Sequence, residues 1–322
     1  MRFQLSPEQR QFSASLHELL SGADTPGVAR AWADGRHEPG LKLLRSLAEM
    51  GVPALLVPED AGGLGATAVD VVVAFEALGY HAVPGPLVES VVVAPTVLDA
   101  SSDPRLSSLA DGELLATVHA PPEVPLALDA DVTDLVLSMN DGTVGEIVTP
   151  RLERVRSIDT ARRLFTVDGG IRPLGVDAAR AFELGVLAVA AQLLGAGQWL
   201  LDASTAYAKQ RSQYGRLIGE YQAIKHLLAD AVTRIELARP LVYAAAVATD
   251  PLLSRDTSAA KVGATDAANL AARTALQVHG AIGYTAEHDL GLRLTKVRAL
   301  AGTWGSSAFH RARVLDAVAG SR

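Results

Sequence analysis

The stretch that decides the fold lies between two long segments rich in alanine and leucine, and it reads Arg211-Ser212-Gln213-Tyr214-Gly215-Arg216-Leu217-Ile218-Gly219-Glu220-Tyr221-Gln222. An arginine can clamp a pyrophosphate through its fork of N–H donors, and the ring of Tyr214 could pack on an adenine. A polar turn between two helices would have a similar composition. The stretch alone therefore leaves a ligand site and a plain connection both open.

The segments around this stretch predict a helical bundle. Apolar residues recur there at helical spacing, and Pro251 predicts a break after which Ser254 or Asp256 could cap the next helix. We expect four long helices, over residues 177–207, 222–249, about 254–279 and from 285 onward. Four long helices in series are typical of an antiparallel bundle, which we assign to residues 176–322.

The chain before the bundle divides into two parts. Residues 114–175 contain short runs rich in Val, Thr, Asp and Gly, and Asn140-Asp141-Gly142 is a hairpin signal, so a small antiparallel β domain is expected there. Residues 1–113 predict a helical domain, whose first helix begins with a capping box at Ser6 and Gln9. The predicted fold class is α+β and mostly α.

Composition excludes several classes of function. The 322 residues are 49% hydrophobic and 20% charged, which is typical of a globular protein. The formal net charge of −7 does not indicate a basic surface for binding nucleic acid. The absence of cysteine excludes disulfides, thiolate metal sites and a cysteine nucleophile, and the histidine spacing indicates no metal site. No signal peptide and no membrane span are predicted, so the expected location is the cytoplasm.

Two further motifs are open to both structural and functional interpretations. Residues 51–65 form a loop rich in glycine, but they match neither the dinucleotide-binding fingerprint nor the P-loop pattern. The second motif, Gln277-Val278-His279-Gly280-Ala281-Ile282-Gly283-Tyr284-Thr285, has small residues that would let a ligand approach the backbone. When each motif is taken alone, a structural connector explains the first, and a joint between helices explains the second, better than a ligand site does.

Taken together and in order, the three motifs resemble the acyl-CoA dehydrogenase family over nearly the whole chain. The N-terminal pattern "GL…VPEE-GG-G" is matched by residues 51–65. The pattern "R-x-x-F-G-x-x-x-x-x-x-Q" is matched by Arg211, Tyr214, Gly215 and Gln222, with Tyr in place of Phe. The pattern "Q-x-x-G-G-x-G-Y/F" is matched at residues 277–284, with Ala281 in place of the second Gly.

The resemblance implies a cofactor, a substrate and an electron acceptor. In the family these C-terminal residues hold the ADP half of FAD across a subunit interface, which assigns that role to Arg211, Tyr214, Gln222, Gln277 and Gly280. Thr303 is a further cofactor contact by the same resemblance. The implied substrate is an acyl-CoA thioester, and the implied electron acceptor is electron-transfer flavoprotein.

The middle domain departs from the family. Its usual "T-E-P-x-x-G-S-D" and "W-I-T-N" stretches contact the flavin ring and the thioester, and residues 101–175 contain neither. The three tryptophans are Trp32, Trp199 and Trp304, so none lies in the β region. The end of the region, residues 157–163, resembles a sequence in shortened family members.

The catalytic base is also missing from its expected positions. Dehydrogenation needs a carboxylate to remove the α-proton while the β-hydrogen leaves as hydride to the flavin. The family's usual glutamate precedes Gly-Thr, where this chain has Ala301, and counting without gaps from Gln277 reaches Trp304 instead. Members with the glutamate on the first bundle helix align it with Gly185.

Glu183 is the remaining candidate base. A shift of two residues turns a helix by about 200°, so Glu183 should face away from the position of Gly185. The alternative for Glu183 is a solvated helix face.

We therefore expect an FAD-binding subunit of a heteromeric acyl-CoA dehydrogenase, in which a larger partner subunit supplies the glutamate. The chain resembles the shortened subunits of actinobacterial α2β2 enzymes, which act on CoA thioesters of steroid side chains. One alternative is a self-sufficient homomeric dehydrogenase that uses Glu183. Another is a structural or regulatory homologue that has lost the flavin.

Overall fold

The computed structural model describes residues 4–140, 142–285 and 288–320, and the side chain of Tyr284 lies outside this description. The N-terminal region is helical, as predicted. Its helices are α1 (Pro7–Gly22), α2 (Thr25–Ala33), α3 (Glu38–Glu49), α4 (Ala68–Tyr80), α5 (Ala94–Ala100) and α6 (Leu106–Ala110), with a π-helix at Glu89–Val93. The capping box of α1 is confirmed, because Ser6 and Gln9 exchange hydrogen bonds of 3.0 and 3.2 Å.

The middle of the chain forms one sheet. Its strands are β1 (Ala116–His119), β2 (Ala127–Leu128), β3 (Leu135–Asn140), β4 (Thr143–Val155) and β5 (Leu164–Asp177), in the order β1-β3-β4-β5-β2. The expected hairpin is confirmed by the antiparallel pair Asn140 and Thr143, although Asp141 itself lies outside the described residues. The expectation of a purely antiparallel unit is wrong, because β1 pairs with β3 in parallel and the sheet is mixed.

The C-terminal part is an antiparallel bundle with more helices than expected. It contains α7 (Ala179–Ala208), α8 (Gln222–Ala246), α9 (Leu253–His279), α10 (Leu290–Gly302) and α11 (Ser307–Ala319), with a small hairpin of β6 (Ser212–Gln213) and β7 (Arg216–Leu217). The fourth predicted helix is divided in two by residues 303–306. The caps expected at Ser254 or Asp256 are wrong, because Leu252 precedes α9 and no side chain caps it.

Helix α7 is the centre of the molecule. It crosses α4 closely, because a Cβ on Gly79 would lie 2.1 Å from the carbonyl oxygen of Gln192 and one on Gly195 would lie 1.9 Å from that of Glu76. Within the described part of the chain, α7 alone is long and apolar enough to cross a membrane, and 89% of its apolar window is buried in the protein. One continuous core of buried residues joins the N-terminal helices, β1, β3 and the bundle.

Candidate functional site

Five of the predicted cofactor residues lie at one end of the bundle. The end of α7, the start of α8 and the end of α9 meet there, where Ala208, Ile218 and Val278 form a small apolar cluster. The ring of Tyr207 stacks on His279 with centroids 4.5 Å apart. We call this end, with Arg211, Tyr214, Gln222, Gln277 and Gly280, the ADP-side surface.

The ADP-side surface presents donors that have no partner among the described residues. Arg211, Gln222 and Gln277 are exposed, and their side chains form no hydrogen bond or ion pair with another described residue. Tyr214 is 94% exposed at a positive φ of 51°, and a Cβ on Gly280 would meet nothing within 4 Å. An open arginine, two amides and a free ring fit a nucleotide that lies between subunits. The residues present therefore fit the ADP half of FAD.

Thr303 lies in a different place from the other five. It follows the end of α10 and lines a cavity of about 290 Å³ that also contains Glu89 and Arg162. We call this cavity the Glu89 pocket. Thr303 therefore lies between the sheet and the bundle and is not part of the ADP-side surface.

The segment around Thr303 is held by buried polar groups. Lys261, which is 1% exposed, donates to the carbonyl oxygens of Leu300 and Ala301 at 3.1 and 3.3 Å. The Nε2 of His310 donates to the carbonyl oxygen of Trp304 at 2.8 Å. Burial lowers the pKa of His310 to about 4, and burial, helped by the charge of Arg162, lowers the pKa of Lys261 to about 7. The two groups fix the backbone on either side of Thr303.

Trp304 packs against Gly185, and the resemblance described above gives both residues as positions for a catalytic glutamate. The indole is 0% exposed, and a Cβ on Gly185 would lie 2.6 Å from its Cζ3 atom. Ala301 lies nearby at the end of α10, and Phe182 packs against the indole with ring centroids 5.7 Å apart. The late position that is counted from Gln277 and the position on the first bundle helix thus meet in space. In this chain an indole and a glycine occupy them, and neither accepts a proton.

Glu183 is engaged elsewhere. Its carboxylate forms an ion pair with Arg313 and accepts a hydrogen bond of 2.5 Å from the hydroxyl of Thr257. The residue is only 6% exposed, so the expectation of a solvated helix face is wrong. It lines none of the cavities described here, and both of its oxygens have partners. This geometry argues against Glu183 as a base and indicates a structural role.

Glu89 is a candidate site residue that was not predicted from the sequence. This residue lies on the π-helix, is 2% exposed and lines the Glu89 pocket. Burial raises its pKa, while Arg162 and the nearby indole N–H of Trp304 oppose the rise. Neither Glu89 Oε2 nor Trp304 Nε1 completes a hydrogen bond of normal geometry with a described residue. The available signal was a single carboxylate inside the apolar run of residues 86–98.

Replacing Gly185 with alanine tests the fit of the indole. Because the new methyl group would lie 2.6 Å from Trp304, we expect the free energy of unfolding to fall by about 1–3 kcal/mol in urea denaturation. Gly291→Ala is the matched control, since a Cβ on this glycine of α10 would meet nothing within 4 Å. That control should be neutral or slightly stabilising. Equal stability of the two variants would contradict the packing described here.

The fold and the ADP-side surface define a flavoprotein of the dehydrogenase type. A model of the acyl-CoA dehydrogenase N-terminal domain matches residues 6–104, and a model of the C-terminal domain matches residues 176–319. Acyl-CoA dehydrogenase IpdE2 of Mycolicibacterium smegmatis is 31% identical over 290 residues, which are 89% of this chain and 91% of that protein. The chain therefore belongs to the acyl-CoA dehydrogenase family, whose cofactor is FAD.

Solved structures show the same fold. One is a variant of the Tcur3481–Tcur3483 steroid acyl-CoA dehydrogenase, with a TM-score of 0.85 and 22% identity over 98% of both chains. Another is the ChsE4–ChsE5 complex of Mycobacterium tuberculosis, with a TM-score of 0.81 and 21% identity over 99% of both chains.

Proposed function

We propose that this chain is the FAD-binding subunit of a heteromeric acyl-CoA dehydrogenase and that a partner subunit supplies the catalytic glutamate. The observation that carries the proposal is a contrast between two parts of the molecule. The ADP-side surface keeps its donors open to solvent. The place of the base is closed by Trp304 against Gly185.

Within this proposal the chain holds one half of the cofactor. Arg211 would bind the diphosphate with its guanidinium, Gln222 and Gln277 would donate amide hydrogen bonds, and Tyr214 would cover the adenine. FAD supplies the hydride acceptor for the desaturation. The larger subunit would complete the flavin-ring side, because this chain lacks the family's middle-domain motifs.

The proposed substrate is the CoA thioester of a steroid side chain, desaturated between its α and β carbons. Support comes from the similarity to the Tcur3481–Tcur3483 steroid acyl-CoA dehydrogenase and to the ChsE4–ChsE5 complex. Electron-transfer flavoprotein as acceptor and a cytoplasmic location remain parts of the proposal.

Flavin content tests the shared cofactor. The chain would be purified alone and after co-expression with a full-length acyl-CoA dehydrogenase encoded beside it, and bound flavin would be measured by absorbance. We expect flavin only in the mixed complex. Stoichiometric flavin in the chain alone would overturn the proposal in favour of a homomeric enzyme, and Glu89→Gln would then test the carboxylate that lines the pocket. Absence of flavin from both preparations would favour the non-catalytic homologue.

Arg211→Ala is expected to weaken flavin binding by the mixed complex at least tenfold. A hydrogen bond to a charged group contributes about 1.5–3 kcal/mol, and Arg211 has no partner within the described chain that could replace the lost contact. Arg216→Ala is the matched control on the same hairpin, because that guanidinium lies 4.0 Å from the ring of Tyr221. Equal flavin loss in the two variants, measured by equilibrium dialysis, would remove Arg211 from the site.

A further inference from the structure

The two segments that carry the ADP-side surface meet at one aromatic contact inside the bundle. Tyr207, on the last turn of α7, stacks on His279, the last residue of α9, with ring centroids 4.5 Å apart and ring planes at 24°. His279 is 5% exposed, and Tyr207 is half-buried. Arg211 follows Tyr207 closely in the chain, and Gln277 precedes His279 by two positions. The contact therefore joins the segments of two candidate cofactor residues.

Tyr207 also holds the backbone of the first segment. Its carbonyl oxygen accepts hydrogen bonds from the N–H groups of Gln210 and Arg211, at 3.0 and 2.9 Å. The carbonyl oxygen of Arg211 accepts in turn from the N–H of Ile218 at 2.8 Å, and this bond closes the base of the hairpin formed by β6 and β7. The position of Arg211 therefore depends directly on the position of Tyr207.

His279 holds the backbone of the second segment. Its Nδ1 donates to the carbonyl oxygen of Ala275 at 2.8 Å, and this bond ties the ring to the last turn of α9. Burial lowers the pKa of His279, which favours the neutral ring. The next residue, Gly280, leaves the helix at a φ of 63°, a conformation that favours glycine. The imidazole thus fixes the turn at which the chain leaves α9.

Two buried neighbours set the rotation of α9 about its axis. Val278 packs in the small apolar cluster at this end of the bundle, and His279 packs on Tyr207. Successive residues of a helix are about 100° apart, so two adjacent anchors against the end of α7 leave the preceding residue on the outer side. That residue is Gln277, which is exposed.

We propose that Tyr207 and His279 are positioning residues, whose stack holds Arg211 and Gln277 in the relative placement that binds the ADP half of FAD. Neither ring has to touch the cofactor. Tyr207 acts through the backbone of Arg211, and His279 acts through the last turn of α9. The identity of the ligand rests on the proposed function, whereas the coupling of the two segments is a property of this chain alone.

Hydrogen exchange of the full chain without added flavin tests the coupling. Tyr207→Leu removes the ring, and Tyr207→Phe keeps it. We expect faster exchange in residues 208–216 and 277–283 of Tyr207→Leu, because the N–H groups of Arg211 and Gly280 lose the support of the stack. Tyr207→Phe should exchange like the unaltered chain. Equal exchange in all three proteins would overturn the proposal, and so would faster exchange spread evenly over the whole of Tyr207→Leu.

The flavin affinity of the mixed complex tests the consequence for binding. We expect Tyr207→Leu to weaken flavin binding about three- to tenfold in equilibrium dialysis, the range that the loss of one aromatic pair spans, and Tyr207→Phe to retain it. Because Tyr207 acts through Arg211, Arg211→Ala should cost less in the Tyr207→Leu background than it does alone. Additive losses would contradict the positioning role.

Failure of the proposed function would look different. An unaltered mixed complex without flavin would overturn the shared cofactor site, while the exchange of residues 208–216 and 277–283 would still decide whether Tyr207 and His279 couple the two segments.

Discussion

Replacing Trp304 with alanine is expected to lower the free energy of unfolding by about 3–5 kcal/mol, the usual cost of truncating a large buried aromatic side chain. The indole is fully buried between Gly185 and Phe182, and the segment that carries it is held by Lys261 and His310. Because these anchors act on the backbone, they would keep the segment from collapsing into the cavity. Urea denaturation at neutral pH measures the loss.

Trp199→Ala is the matched control for this experiment. Trp199 lies on α7 but is only partly buried, and its ring contacts the guanidinium of Arg293 at 3.8 Å. We expect a smaller loss of stability there, because the site is closer to solvent and leaves less of a cavity. A loss at Trp304 no larger than the loss at Trp199 would contradict the view that the indole fills the base position.

Neutralising Glu183 is expected to lower stability by about 3 kcal/mol without abolishing catalysis by the mixed complex. Glu183→Gln removes the partner of Arg313, whose side chain is 21% exposed and lies beside Phe182 and Phe309. Leaving one charge of a buried pair without its partner costs about 3–5 kcal/mol, and the partial exposure of Arg313 places this case at the low end. Denaturation gives the stability, and turnover per folded complex gives the activity.

Helix α11, which carries Arg313, also provides a control for the loss of a charged partner. Arg311 on α11 pairs with Asp266 at 2.9 Å, but their side chains are 58% and 46% exposed. Asp266→Asn should therefore cost less than about 1 kcal/mol. A folded Glu183→Gln complex without dehydrogenase activity would restore Glu183 as the base. A loss of stability in Glu183→Gln no larger than that in Asp266→Asn would contradict the structural role of Glu183.

The local elements could be predicted because their signals are local. The capping box at Ser6, the break at Pro251 and the hairpin turn ending at Gly142 each involve a few neighbouring residues, and the structure contains all three. The parallel pairing of β1 with β3 was missed because it depends on register between strands far apart in the chain. The division of the last predicted helix was missed because the conformation of residues 303–306 depends on packing against Gly185, which an amphipathic period does not report.

The sequence by itself determined the order of a helical domain, a β domain and a bundle, the family, and the absence of a glutamate from its usual places. Only the tertiary structure decided that Gly185 and Trp304 share one space, that Glu183 is buried against Arg313, and that Glu89 lies beside a pocket with Arg162. Periodicity and short motifs report on neighbours along the chain. These three arrangements arise from side-chain packing between distant segments, where volume and charge are matched only after the chain has folded.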